Sequence, residues 1–280
     1  MTQLKFTTIA QAKRDTKLSY LGSINKSSKL AKNGKVSGQM TYGLYLAPAS
    51  VSGYNVCSHS TAECRLGCLA TSGRAGMEIN SNGKQNRINN ARTVKTRLFI
   101  EQQDFFMAWL IAEIQAAKLK AEKHGFGFSV RLNCTSDIDW QNTLYMGVNV
   151  FDIFSDVQFY DYTKNPNKFF KISPNYHLTL SYTGYNWQTC KTVLKRGYNI
   201  AMVFNVKHET DIPAMYNGYE VINGDLTDYR VSDAKGVIVA LKWKRIANRT
   251  AEKQVLNSVF VVKPENINVN VQGLAMSIAV

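Results

Sequence analysis

Short apolar runs, each followed by a polar or helical stretch, organise the second half of the chain. FSVRLNC (128–134), DVQFYDYT (156–163), HLTLSYT (177–183), NIAMVFNV (199–206), YEVIN (219–223) and GVIVALKW (236–243) are rich in β-branched and aromatic residues, as strands require. WQTCKTVLKRG (187–197) reads as a helix between two of them. Near-continuous apolar strands separated by helices predict a parallel sheet buried on both faces. Upstream, MTYGLYLAP is a short strand stopped by Pro48. Residues 86–124 carry Phe105, Trp109, Ala112 and Ala116 at spacings of three or four, which predicts one long helix ended by Gly125. Residues 20–38, rich in Ser, Asn, Lys and Gly, read as an exposed basic arm or loop.

With no internal repeat and no low-complexity linker, the expected organisation is a single α/β domain over residues 1–280. Within it, 1–38 is a basic N-terminal arm, 39–262 the core with a cysteine loop at 53–76, and 263–280 a C-terminal tail. An open doubly wound sheet and a complete or partial (β/α) barrel both fit the pattern. In either, ligands bind at the carboxyl ends of the strands. The polar residues clustered there are Asp137 and Asp139, Asp161 and Lys164, and Asp225 and Asp228, which makes them the candidate catalytic or substrate-binding set. Asp137 and Asp139 would face one side of an extended chain, or one would cap the next helix. Tyr160 and Tyr162 would stack on a base or simply pack, and Arg131 would meet an anion or a buried carboxylate.

Charge adds a partner class. The chain has 34 Lys and Arg against 20 Asp and Glu, a formal net charge of +14, concentrated in residues 1–35 and around Lys242, Lys244, Arg245, Arg249 and Lys253. Two basic clusters favour contact with nucleic acid or a nucleotide over mere solubility. No apolar run is long enough to span a membrane, so no membrane partner is expected, and the N-terminus lacks a signal peptide's apolar core. A cytoplasmic protein is the expectation. Walker, G-x-G-x-x-G, H-E-x-x-H and G-x-S-x-G motifs are absent, which removes the common nucleotide-binding and hydrolase signatures.

The cysteines sharpen the picture most. Three of the five, Cys57, Cys64 and Cys68, fall within twelve residues at spacing C-x6-C-x3-C, with His59 inside the first interval. In a reducing compartment, crowded cysteines are ligands or reactive thiols more often than disulfides. Three thiolates can hold three irons of a 4Fe-4S cluster and leave the fourth open. With His59 or Cys134 as a fourth ligand they would make a structural zinc site instead. Arg74, in Gly73-Arg74-Ala75-Gly76, would bring an anion-binding turn to the same loop. Cys190 sits in a predicted helix and reads as core.

Taken in order, SGYNVCSHSTAECRLGCLATSGRAG, RLNCTSDIDW, FYDYTKNP, HLTLSYTGYN and NGDLTDYRVSD resemble a family of bacteriophage iron–sulfur proteins distantly similar to radical-SAM enzymes. The resemblance spans most of residues 40–262. It implies a (β/α) barrel, a cluster on Cys57, Cys64 and Cys68, S-adenosylmethionine as a further cofactor, and action in the host cytoplasm on nucleotides or nucleic acid, as in DNA base modification. The cysteine spacing differs from the C-x3-C-x2-C of radical-SAM enzymes, and no Gly-Gly-Glu element follows the next strand. The rival expectation is a non-enzymatic protein with a structural zinc that binds nucleic acid or a host protein.

Overall fold

The computed structural model describes residues 3–25, 28–68, 70, 87–246 and 248–263. It is a mixed α/β fold built on one mostly parallel sheet. Seven parallel strands run in the spatial order β2 (Gln39–Leu44), β3 (Gly127–Arg131), β6 (Gln158–Thr163), β7 (Tyr176–Ser181), β8 (Asn199–Phe204), β11 (Ile238–Lys242) and β10 (Tyr219–Asn223). Two short antiparallel strands, β1 (Gly22–Ile24) and β9 (Met215–Tyr216), flank them. The apolar runs at 128, 156, 177, 199, 219 and 236 therefore became strands of the expected sheet. A separate two-stranded ribbon pairs β4 (Leu144–Tyr145) with β5 (Val148–Asn149).

Helices complete the crossovers. α1 (Ile9–Thr16) precedes the sheet, and α2 (Ser28–Ser37) leads into β2. α3 (Ala62–Leu66), α4 (Arg87–Glu101) and α5 (Gln103–Lys123) lie between β2 and β3. α6 (Val150–Ile153), α7 (Trp187–Lys195) and α8 (Arg249–Leu256) follow, α8 leading to the short strand β12 (Val261–Val262). The single helix expected over 86–124 is thus two, broken at Gln102, whose backbone leaves the helical region at φ −143° and ψ 60°. No Pro or Gly marks that break. The Gln102 side chain instead accepts the Leu4 N–H at 2.7 Å, a long-range contact that no local pattern encodes.

The expected loose arm at 20–38 is also structured. It forms β1 and α2, with Leu30 and Asn33 buried. The extended tail of the expectation, 264–280, lies outside the described residues, as do Lys26 and Arg74.

Alternation along the strands sorts the side chains. Val130, Phe159, Leu178, Ile200, Met202 and Ile238 join the main apolar core with Phe106, Trp109, Leu110 and Ile114 of α5. The opposite parity carries Thr41, Ser129, Arg131, Tyr160, Tyr162, His177 and Thr179, so the second face is polar yet largely covered. What covers it is the curl of the sheet. β3 and β10 are five places apart in strand order, yet Arg131 of β3 bonds Asp228, just beyond β10.

Candidate active site

α2 bridges the two lips of the curled sheet through one side chain. Asn33 Nδ2 donates to Thr41 Oγ1 and to the Tyr160 hydroxyl, both at 2.9 Å. Its Oδ1 accepts from Thr227 Oγ1 and from the Asp228 N–H, also at 2.9 Å. All four bonds of the amide are made inside the protein, so β2, β6 and the segment after β10 are fixed relative to one another. Thr41 and Ser129 share a further hydroxyl contact at 2.9 Å.

Beside this staple sits a charged layer. Arg131 Nη1 donates to Asp228 Oδ2 at 2.5 Å, its Nε lies 4.0 Å from Asp161, and its guanidinium stacks 4.8 Å above the Tyr162 ring. Deeper along β7, Arg230 is fully buried and pairs with Asp233 at 3.2 Å. Burial and Arg230 push the neighbouring His177 down to about 4, so it is neutral at physiological pH.

The cysteine loop lies at the carboxyl end of this polar layer. The Ala49 N–H donates to Cys57 Sγ at 3.3 Å, and the Asp137 N–H donates to the Val56 carbonyl at 2.8 Å, tying the loop to the chain after β3. On the far side, Cys64 and Leu66 pack with Trp243, Val255, Leu256, Phe260 and Val261 beyond β11. Gly67 lies under the Trp243 ring, where an added Cβ would come within 3.0 Å of it. The loop therefore spans the mouth from β3 to β12.

Asp137 anchors that mouth. It accepts from Lys168 Nζ at 2.7 Å, Thr163 Oγ1 at 2.7 Å and the Lys164 N–H at 2.8 Å. Burial alone would raise its carboxyl, but Lys168 and these donors hold it below the usual value. The Lys164 ammonium faces the thiols. Burial would lower it, and the charges of Cys64 and Asp137, with a hydrogen bond to Cys64, raise it instead. Burial raises Cys57 and pushes Cys68 up to about 11, with smaller raising effects of Cys64 on Cys57 and of Cys64 and Cys57 on Cys68.

Such charge effects show that Cys57 and Cys64 act on Cys68 from a distance. Yet among the described residues no three of His, Cys, Asp and Glu converge tightly enough to hold a single metal ion. Four ligands on one zinc, bound at about 2.3 Å, would bring sulfurs within roughly 3.8 Å of each other. Cys134 is half-buried, its thiol pushed up to about 12 by desolvation, and its electrostatic neighbours are Arg131, Asp161 and Asp228. His59 contacts only Ser58, at 3.0 Å.

The remaining expected residues divide. Asp161 and Asp228 share Arg131, and Asp137 and Lys164 stand at the mouth beside the cysteines. Asp225 lies off to one side, accepting the Lys242 N–H at 2.7 Å and pairing with Lys244 at 3.4 Å. Asp139 bonds Asn142 at 2.7 Å in a local turn. Arg230, which the sequence offers as the one arginine of an acid cluster, is buried against Asp233, while Asn33, Thr41 and Lys168 carry no sequence signal. They lie in Lys-rich or turn-like stretches whose burial comes only from distant partners.

Asp161 is the group poised to exchange a proton. Burial drives its carboxyl up to about 7, opposed by Arg131, the Asn133 N–H and the Tyr176 hydroxyl. A raised carboxyl adds stability that is full below the unfolded value near 4 and is lost as pH rises through about 7. Thermal melts across that window should show the protein losing stability toward neutral pH, and Asp161→Asn should flatten the trend. An identical pH profile in the variant would assign the titration elsewhere.

Comparison with known proteins supplies one relation. The family model described as Gene product 88 matches residues 16–255, which takes in the whole sheet except β12, together with α2, the described part of the cysteine loop and most of α8. No curated protein and no solved structure matches the chain.

Proposed function

The chain belongs to the Gene product 88 family of bacteriophage proteins, and from that premise we propose that it is an iron–sulfur enzyme whose cluster would be held by Cys57, Cys64 and Cys68 over the mouth of a partial (β/α) barrel. The observation that carries this reading is the position of the cysteine loop, which is bonded to the chain after β3 on one side and packed on Trp243 and Phe260 on the other, at the carboxyl end of the curled sheet. A cubane carries each cysteine on a different iron, which suits sulfurs that do not converge on one point. Such a cluster, when bound, supplies an open iron for Lewis-acid or one-electron chemistry.

The protein's own residues do the rest. Lys164 stands beside the thiols, where its charge favours the thiolate forms that ligation needs. Arg131, Tyr162 and Asp161 line the way inward, offering a cation, a ring face and a carboxyl that titrates near neutrality. That equipment suits a nucleotide or a nucleic-acid base, with S-adenosylmethionine as a candidate co-substrate.

Anaerobic purification followed by iron, sulfide and zinc analysis tests the reading. Brown protein with broad absorption near roughly 400 nm and iron matched by sulfide is the expected result. Cys57→Ala, Cys64→Ala or Cys68→Ala should each remove it, while Cys190→Ala, in the core of α7, should not. Stoichiometric zinc without iron would instead favour a structural zinc in a nucleic-acid- or host-protein-binding protein.

A further inference from the structure

Immediately beside the cysteine loop lies an open groove of about 430 Å³, lined by Asn205, Arg249, Glu252, Lys253, Leu256, Asn257 and Lys263. It is formed where β8 ends, where β12 ends and along α8, and Asn205 is held there by donating its N–H to the Val262 carbonyl at 2.9 Å. Three cations face one carboxylate. That carboxylate is already engaged, because Glu252 accepts from Arg249 at 2.7 Å and from the Trp243 indole at 3.2 Å. The surplus charge is therefore the two ammonium groups of Lys253 and Lys263, flanked by the amides of Asn205 and Asn257. Arg245 and Lys244 are exposed in the segment that leads from β11 to α8, Lys244 paired with Asp225 at 3.4 Å.

An exposed aromatic stands close by. Gly184, at φ +94°, seats against Val259 and the Phe260 N–H so tightly that an added Cβ would lie 2.7 Å from Val259. Only glycine tolerates both that backbone and that approach. The next residue, Tyr185, is thereby held out at the surface, 70% exposed, its hydroxyl 3.4 Å from Glu63 of α3. Leu256 lines the groove and also packs in the apolar cluster with Cys64. Basic groove, bare ring and cysteine loop thus form one continuous surface.

The geometry points to a binding site for single-stranded nucleic acid, with Lys253 and Lys263 on its phosphates and Tyr185 stacked on one of its bases. An enclosed pocket would suit a free nucleotide, whereas this groove is open and carries two ammonium groups on its lining, as a polymer requires. A duplex keeps its bases stacked and would leave Tyr185 unused. The inference names the substrate class of the proposed enzyme, but the groove stands on its own residues and needs no cluster.

Fluorescence anisotropy with a labelled single strand of about 16 nucleotides, enough to fill one such site, tests it on the full anaerobically purified chain. Binding should weaken with salt, and Lys253→Ala combined with Lys263→Ala should lower the slope of log affinity against log salt by about 1.4, at about 0.7 per lost phosphate contact. Tyr185→Ala should weaken the strand roughly fivefold or more and leave that slope unchanged. All three side chains are outside the core, so circular dichroism should be unaltered. An unchanged slope in the lysine double variant overturns the site, as does duplex binding as tight as single-strand binding. Displacement of the strand by inorganic phosphate at constant ionic strength would reassign the groove to a small anion and likewise overturn the inference. Iron measured on the same samples separates the two readings: strand binding without iron removes the cluster and leaves the groove.

Discussion

Asp228→Ala should destabilise the protein by about 3–5 kcal/mol, the usual result of leaving a buried charge without its partner. Asp228 is fully buried, and Arg131 has only 12% of its side chain exposed. Removing the carboxylate also strips Tyr160 of an acceptor at 3.4 Å. Asp228→Asn keeps the volume and part of the hydrogen bonding, so it should fall between wild type and alanine. Urea denaturation monitored by circular dichroism gives the difference directly. Arg131→Met combined with Asp228→Leu should recover much of the loss, because replacing both members of a buried pair removes the unmatched charge. A loss under about 1 kcal/mol in Asp228→Ala would mean that water reaches the inner face and screens the guanidinium.

The second large effect lies at the mouth. Asp137→Ala leaves the Lys168 ammonium, 2% exposed, facing only the carbonyls of Asp137 and Ile138. A similar loss of about 3–5 kcal/mol is expected. The pH dependence provides an independent reading. Since Lys168 and the donors from Thr163 and Lys164 depress the Asp137 carboxyl, its contribution is present above the unfolded value near 4 and is lost as pH falls through the lower folded value. Wild type should therefore weaken in acid through this group, and Asp137→Ala should lack that component. A variant with wild-type stability at neutral pH would show that Lys168 finds another anion.

How far the chain could be read in advance follows from where each signal resides. Strands of the parallel sheet announce themselves because both faces are covered, so FSVRL and NIAMVF are apolar enough to stand out. Their second face escaped notice for the same reason: a Thr, Ser or Tyr inside such a run looks like ordinary strand composition. α2 was hidden by its lysines. SKLAKNGKVS reads as solvated, and only the bonds of Asn33 to residues 41, 160 and 228 reveal that its inner side is buried. Lys32, counted toward a phosphate-binding arm, in fact donates to the Asp225 carbonyl at 2.9 Å. Cys190 was legible as core because a helix face with Val193 and Leu194 surrounds it. The cysteine trio stood out by spacing alone, but its position at the strand ends did not, since that depends on Val56 accepting from Asp137 and on Cys64 packing with Trp243 and Phe260.

The Asn33 staple also sets an order of events during synthesis. Its two ends are 195 residues apart in sequence. At ordinary elongation rates of about 5–20 residues per second, roughly 10–40 s separate the appearance of Asn33 from that of Asp228. For the second half of that interval, once β3 has been made, Arg131 has no carboxylate from beyond β10 to meet it. The enclosed inner layer is thus a late, near-terminal event, and a ribosome-bound chain truncated before residue 228 should remain open to protease around α2 after its first strands have paired.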